Sequence, residues 1–131
     1  MPPEQHKPRV LIVDDERNIA DTIRAILSHS GYDVVAVYDG QAAVDTARVW
    51  TPDVLLSDVM MPGMNGIEAA ILISKITPIC RILLFSGNLG TGDLYREASA
   101  KGHYFEILAK PVHPSELLER LRTLLEESGE A

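Results

Sequence analysis

The feature that most narrows what this chain can fold into is a set of short apolar runs, each followed by a stretch of a different periodicity. The runs are "VLIV" (10–13), "DVVAV" (33–37), "DVLLSD" (53–58), "ICRILLFSG" (79–87) and "FEIL" (105–108). Aliphatic and often β-branched, they have the length of strands, and "VLIV" fits one buried on both faces. After the first run, Ile19, Ile23, Ile26 and Leu27 recur at helical spacing, and Gly31 stands where a left-handed C-terminal cap belongs. Ala43, Val44 and Ala47 mark a second helix that must stop near Pro52, and Ile67, Ala70, Ile71 and Ser74 mark a third, closed by Pro78. A weakly patterned helix is expected near 93–101. Leu117, Leu118, Leu121, Leu124 and Leu125 make a strong final helix, with Pro114 suited to its first turn.

Strands alternating with helices imply right-handed crossovers and a parallel sheet with helices on both faces. The expected fold is a flavodoxin-like, doubly wound α/β sandwich with five strands in the order 2-1-3-4-5 and five helices. At 131 residues there is room for one such domain, placed at 9–127, between an extended or disordered N-terminal segment (1–8) and a short tail (128–131). Aromatics make up only 5% of the chain, so aliphatic packing must build the core.

Charge and composition exclude several functions. With 19 acids against 12 bases, a net charge of -7 and no basic tract, direct binding to nucleic acid by this domain is not expected. The single cysteine, Cys80, reads as a buried structural thiol. "MPPEQHKPRV" lacks the apolar core of a signal peptide and no run reaches transmembrane length, so a cytoplasmic location without membrane contact is expected. His6, His29, His103 and His113 are too dispersed for a metal set, and His113 caps the last helix or faces water. "GNLGTG" lacks the lysine and hydroxyl ending of a nucleotide-binding loop.

In a sheet of this kind, functional residues lie at the C-terminal ends of the strands. Those ends carry Asp14 and Asp15, then Asp58, Ser86 and Lys110. With the first and third strands adjacent, three carboxylates share one rim, a costly arrangement unless a cation balances it. A small hard cation such as magnesium suits oxygen ligands of this kind, Lys110 adds a positive charge, and Ser86 adds a hydroxyl. This is equipment for handling a phosphoryl group. Asp53, which follows Pro52, reads as a turn residue, and Gly63 and Gly66 as residues that permit unusual backbone angles in "MPGMNG".

Taken together, "VLIVDDE", "SDVMMPGMNG", "LLFSG" and the "KP" pair resemble the receiver domain of bacterial two-component response regulators over roughly residues 8–127. The resemblance implies that Asp58 accepts a phosphoryl group from a histidine kinase or phosphotransfer protein, with Mg2+ as cofactor. It implies Asp15 as a direct magnesium ligand beside Asp58 and the Met60 carbonyl, and Asp14 as an outer-sphere ligand through water. Lys110 and Ser86 would contact the phosphoryl oxygens, and Lys110–Pro111 would be a cis bond that directs the lysine. Gly87 would leave Asp58 open to approach. Met60 and Asn88 would border the water path for loss of the phosphoryl group. Such a chain is a switch rather than an enzyme, its downstream effector is unknown, and a second copy of itself is a further candidate partner. The residues after 127 are too few for an output domain, so the chain is expected to be a stand-alone regulator or part of a longer protein.

Three departures bear on the switch. Ile107 occupies the position where the family usually carries Tyr or Phe, and strand parity does not obviously bring Tyr104 or Phe105 to the same place. The spacing from Gly102 to Lys110 is one residue longer than the common pattern, and Ser86 replaces the commoner Thr. These motivate an alternative reading, a phosphorylation-independent interaction module on the same fold. A magnesium-dependent phosphohydrolase resembling haloacid dehalogenases is disfavoured because Met60 stands where those enzymes need a second acid.

Overall fold

The computed structural model describes residues 7–87, 96, 99, 100, 102 and 105–129, the side chains of 127–129 excepted. Its strands are β1 (Arg9–Val13), β2 (Asp33–Val37), β3 (Val54–Asp58), β4 (Arg81–Ser86) and β5 (Glu106–Ala109). Its helices are α1 (Arg17–His29), α2 (Gly40–Val49), α3 (Gly66–Ile76) and α4 (Pro114–Gly129). All neighbouring strands pair in parallel, in the order β2-β1-β3-β4-β5. Five helices were expected and four are complete among the described residues; of the one near 93–101, only Arg96, Ser99 and Ala100 are described, and they are helical. Residues 1–6, 88–95, 97, 98, 101, 103, 104, 130 and 131 lie outside the described residues.

Alternation along the strands builds one core on each face of the sheet. Leu11, Val13, Leu55 and Leu84 face α2 and α3, where Ala43, Ala47, Ile67, Ala70 and Ile73 cover them. Val10, Ile12, Leu56, Leu83 and Phe85 face α1 and α4, under Ala20, Leu27, Leu117, Leu121 and Leu124. β3, with neighbours on both sides and helices on both faces, is buried along its whole length. Two helical stripes differ from expectation. In α3 the buried residues are Gly66, Ile67, Ala69, Ala70 and Ile73, while Ile71 and Ser74 are half-buried, because α3 packs against α2 as well as the sheet. In α1, Ala20 and Leu27 are buried, whereas Ile19, Ile23 and Ile26 are half-buried. Among the described residues no helix is long and apolar enough to cross a membrane.

The element ends follow local chemistry. Gly31, just past α1, adopts φ +102°. The Asp39 carboxylate accepts from the Ala42 N–H at 2.7 Å to cap α2. Asn65 and Glu68 form a reciprocal capping box at α3, both bonds at 2.9 Å. At α4, Nδ1 of His113 accepts from the Ser115 N–H at 3.2 Å, so this histidine is a cap. Asp53 does more than turn the chain, since its carboxylate accepts from the Arg9 N–H at 2.8 Å and ties the start of β1 to the start of β3. Cys80 is buried, and burial, aided by the negative charge of Asp53, pushes its thiol up to about 12, as befits a structural residue.

Leu121 is wholly buried between α4 and the sheet. Replacing it with alanine should cost about 2–5 kcal/mol of stability. In urea denaturation the midpoint should fall while the slope stays unchanged.

Candidate functional site

The sheet order brings distant residues together. β1 and β3 are neighbours in register, Val13 beside Ser57, so Asp14 and Asp15, just beyond β1, meet Asp58, the last residue of β3. One carboxylate oxygen from each of Asp14, Asp15 and Asp58 lies within 4.8 Å of the others. Asp14 and Asp58 are 1% and 7% exposed, whereas Asp15 is open to solvent. Lys110, immediately after β5, reaches past β4 to place Nζ 3.1 Å from Oδ2 of Asp14 and 3.4 Å from Oδ2 of Asp58. Its backbone N–H donates to the Ser86 carbonyl at 3.0 Å, and the Lys110–Pro111 peptide is cis.

The electrostatics follow from this geometry. Burial pushes the Asp58 carboxyl above its ordinary 3.8; the charges of Asp14 and Asp15 push the same way, and Lys110 opposes them. For Lys110, burial works against the charged form, but the hydrogen bond to Asp14 and the charges of Asp58 and Asp14 outweigh it and hold the ammonium above its ordinary 10.5. Both oxygens of Asp14 are engaged, Oδ1 by the Glu16 N–H at 2.9 Å and Oδ2 by Lys110. One ammonium therefore faces three carboxylates. The remaining negative charge and the all-oxygen donor set fit a hard divalent cation, for which Asp14, Asp15 and Asp58 each offer one carboxylate oxygen.

The backbone under Asp58 is closely held. The Ser57 hydroxyl donates to the Asp58 carbonyl at 2.9 Å, and the Gly66 N–H donates to the Val59 carbonyl at 2.8 Å. A Cβ on Gly66 would lie 2.0 Å from the Asp58 carbonyl oxygen, so this glycine is needed for clearance. Its expected role, an unusual backbone angle, belongs to Gly63 alone, at φ +76°. The need at Gly66 was hidden in the sequence because the clash is with a residue eight positions earlier. Met60 is 45% exposed on the same loop.

The other predicted residues fall around this centre. Ser86 is half-buried at the end of β4. Gly87 rests on the stem of Lys110: a Cβ there would sit 3.5 Å from the lysine Cβ, an ordinary contact. Ile107 pairs with Leu84 and packs toward the α2/α3 core, and Phe105 packs against that same core, so these two do share a face. Asn88 and Tyr104 lie outside the described residues. An apolar groove of about 580 Å³ between α1 and α4, with Ile19, Ile23, Phe85, Val112 and Leu117 in its lining, opens beside Lys110 and Pro111.

A raised Asp58 carboxyl means that the folded protein holds this proton more tightly than the unfolded chain does. Stability from this group is therefore complete below 3.8 and is lost as pH rises through the higher folded value. In metal-free buffer at pH 7, Asp58→Asn should melt a few degrees above the parent protein, with the gap closing as pH falls toward 3.8. Differential scanning calorimetry across that range checks the sign.

The family model described as "Response regulator receiver domain" matches residues 10–122. Among relatives, the chain is 30% identical over 126 residues to the DNA-binding response regulator MtrA of Mycolicibacterium paratuberculosis, covering 95% of this chain and 54% of that protein. It is 34% identical to the response regulator MprA of Mycobacterium avium, covering 89% and 50%. The chain thus spans about half the length of these relatives. Among solved structures, a CheY-like receiver domain protein from Methanospirillum hungatei superposes with a TM-score of 0.84 at 26% identity, covering 95% of this chain and 98% of that one. The chemotaxis protein CheY4 of Vibrio cholerae superposes at 0.79 with 30% identity, covering 90% and 98%. With matching fold, strand order and family model, the chain belongs to the response regulator receiver domain family.

Proposed function

We propose that this chain is a phosphorylation-controlled switch in which Asp58 accepts the phosphoryl group of a phosphohistidine on a histidine kinase or phosphotransfer protein. The observation that carries this reading is the bridge from Lys110 to Asp58 and Asp14 inside a three-carboxylate cluster. An Asp58 carboxylate oxygen attacks phosphorus as the phosphorus–nitrogen bond breaks; the imidazole leaves with the bonding electrons and Asp58 becomes an acyl phosphate. Magnesium, when bound, supplies positive charge that balances the phosphoryl oxygens. Asp15, Asp58 and the Met60 carbonyl are its direct ligands in this reading. Asp14 acts through water, a role supported by the prior engagement of both its oxygens. Lys110 turns from Asp14 and Asp58 to the new phosphoryl oxygens, and the Ser86 hydroxyl donates to them. The altered surface then changes affinity for an effector or a second copy of the chain. Although MtrA is named as DNA-binding, the acidic balance here argues against DNA contact by this domain. The expected setting is the cytoplasm, where histidine kinases present their phosphoryl group.

A second reading, a phosphorylation-independent interaction module, is favoured by one observation. Ile107 lies against the α2/α3 core and, lacking an aromatic ring, cannot make the family's usual aromatic rotamer change. A shift in partner affinity or oligomeric state on adding beryllofluoride would rule that module out.

With magnesium and either acetyl phosphate or a phosphorylated kinase, the protein should acquire a hydroxylamine-labile phosphoryl label that Asp58→Asn abolishes. Its absence would overturn the switch. Asp15→Ala should weaken magnesium binding more than Asp14→Ala, by about tenfold or more relative to the parent. Calorimetric titration showing equal or reversed effects would overturn the division of roles between the two acids.

A further inference from the structure

The loop from Val59 to Asn65, which carries Met60, is anchored at its far end by Gly66 against the Asp58 carbonyl. A second support comes from outside β3 and α3. Gly40, the buried first residue of α2, faces Met64 so closely that a Cβ there would stand 2.8 Å from the Met64 carbonyl oxygen, 2.9 Å from its Cβ and 3.0 Å from its Cγ. Two of those three atoms have no rotamer by which to yield, so either the loop or α2 would have to move. α2 is poorly free to do so. Asp39 caps it, and Ala43, Val44 and Ala47 bury it against the sheet and α3. Met64 itself packs on the same core, so it stands as a strut between the start of α2 and the loop beside Asp58.

From this contact we infer that Gly40 is a positioning residue for the acidic site: through Met64, the N-terminus of α2 sets where the Met60 loop lies, and hence how well the site holds magnesium. The inference rests on the reading of Asp15, Asp58 and Met60 as magnesium ligands. It makes α2, which contributes no ligand, a place from which the site can be tuned.

The test compares Gly40→Ala with Gly31→Ala in the full chain, by magnesium titration calorimetry and by melting in EDTA. Gly31 is the control because its φ of +102° makes alanine strained while nothing lies within 4 Å of the added methyl. Both variants should melt lower than the parent. Only Gly40→Ala should weaken magnesium binding, by about tenfold, as removal of outer-shell support does elsewhere. In phosphorylation by acetyl phosphate, it should raise the magnesium concentration needed for half the maximal rate while leaving the saturated rate near that of the parent. Unchanged affinity in Gly40→Ala, or an equal loss in Gly31→Ala, would overturn the inference. If Gly40→Ala does not fold, Met64→Ala carries the test: a smaller loss of affinity supports the strut, and parental affinity overturns it. Failure of the parent itself to bind magnesium would instead bring down the assignment of the ligands.

Discussion

Asp14 and Asp58 are two nearly buried carboxylates at the ends of neighbouring strands, and one lysine bridges them. Buried like charges at this spacing are unfavourable, so the rest of the site is arranged around compensating them. Lys110 must arrive from β5, on the far side of β4, which requires the sheet order and the course of the chain at Lys110–Pro111. The compensation is partial. The acids that remain in excess leave Asp58 raised and the site receptive to a hard cation.

The fold supplies the rigidity that this balance needs. β3 is enclosed by neighbours on both sides and by a core on each face, so Asp58 stands at the end of the most deeply held strand. Small residues then let backbone come close: Gly66 clears the Asp58 carbonyl and Gly40 clears Met64. Each would be invisible in a survey of polar groups, yet each sets how closely two stretches of backbone beside Asp58 can approach. By contrast Ile107 belongs to the α2/α3 core, where it packs together with Phe105.

Much of the site was legible because its chemistry is written in residue type and order. Acids after the first and third apolar runs, a hydroxyl after the fourth and a lysine after the fifth define the site once a parallel sheet is assumed, and turn chemistry alone does not account for all five. What was harder to read depended on contacts across the chain. The parity of Phe105 could be judged only with β5 placed at Glu106–Ala109, and the groove-facing isoleucines of α1 only once α4 was seen beside them. Likewise Asp53 looked like a turn residue because its partner, the Arg9 N–H, is 44 positions away.

The sequence by itself determined the alternation of strands and helices and the set of acids, hydroxyl and lysine, because periodicity and residue chemistry are local properties. Only the tertiary structure decided that Asp14 would be buried and doubly engaged while Asp15 stays open, that Gly66 answers to clearance, and that Gly40 at the start of α2 lies close against Met64. The physical reason is that charge pairing and steric contact act between atoms brought together by folding, and adjacency along the chain does not specify them.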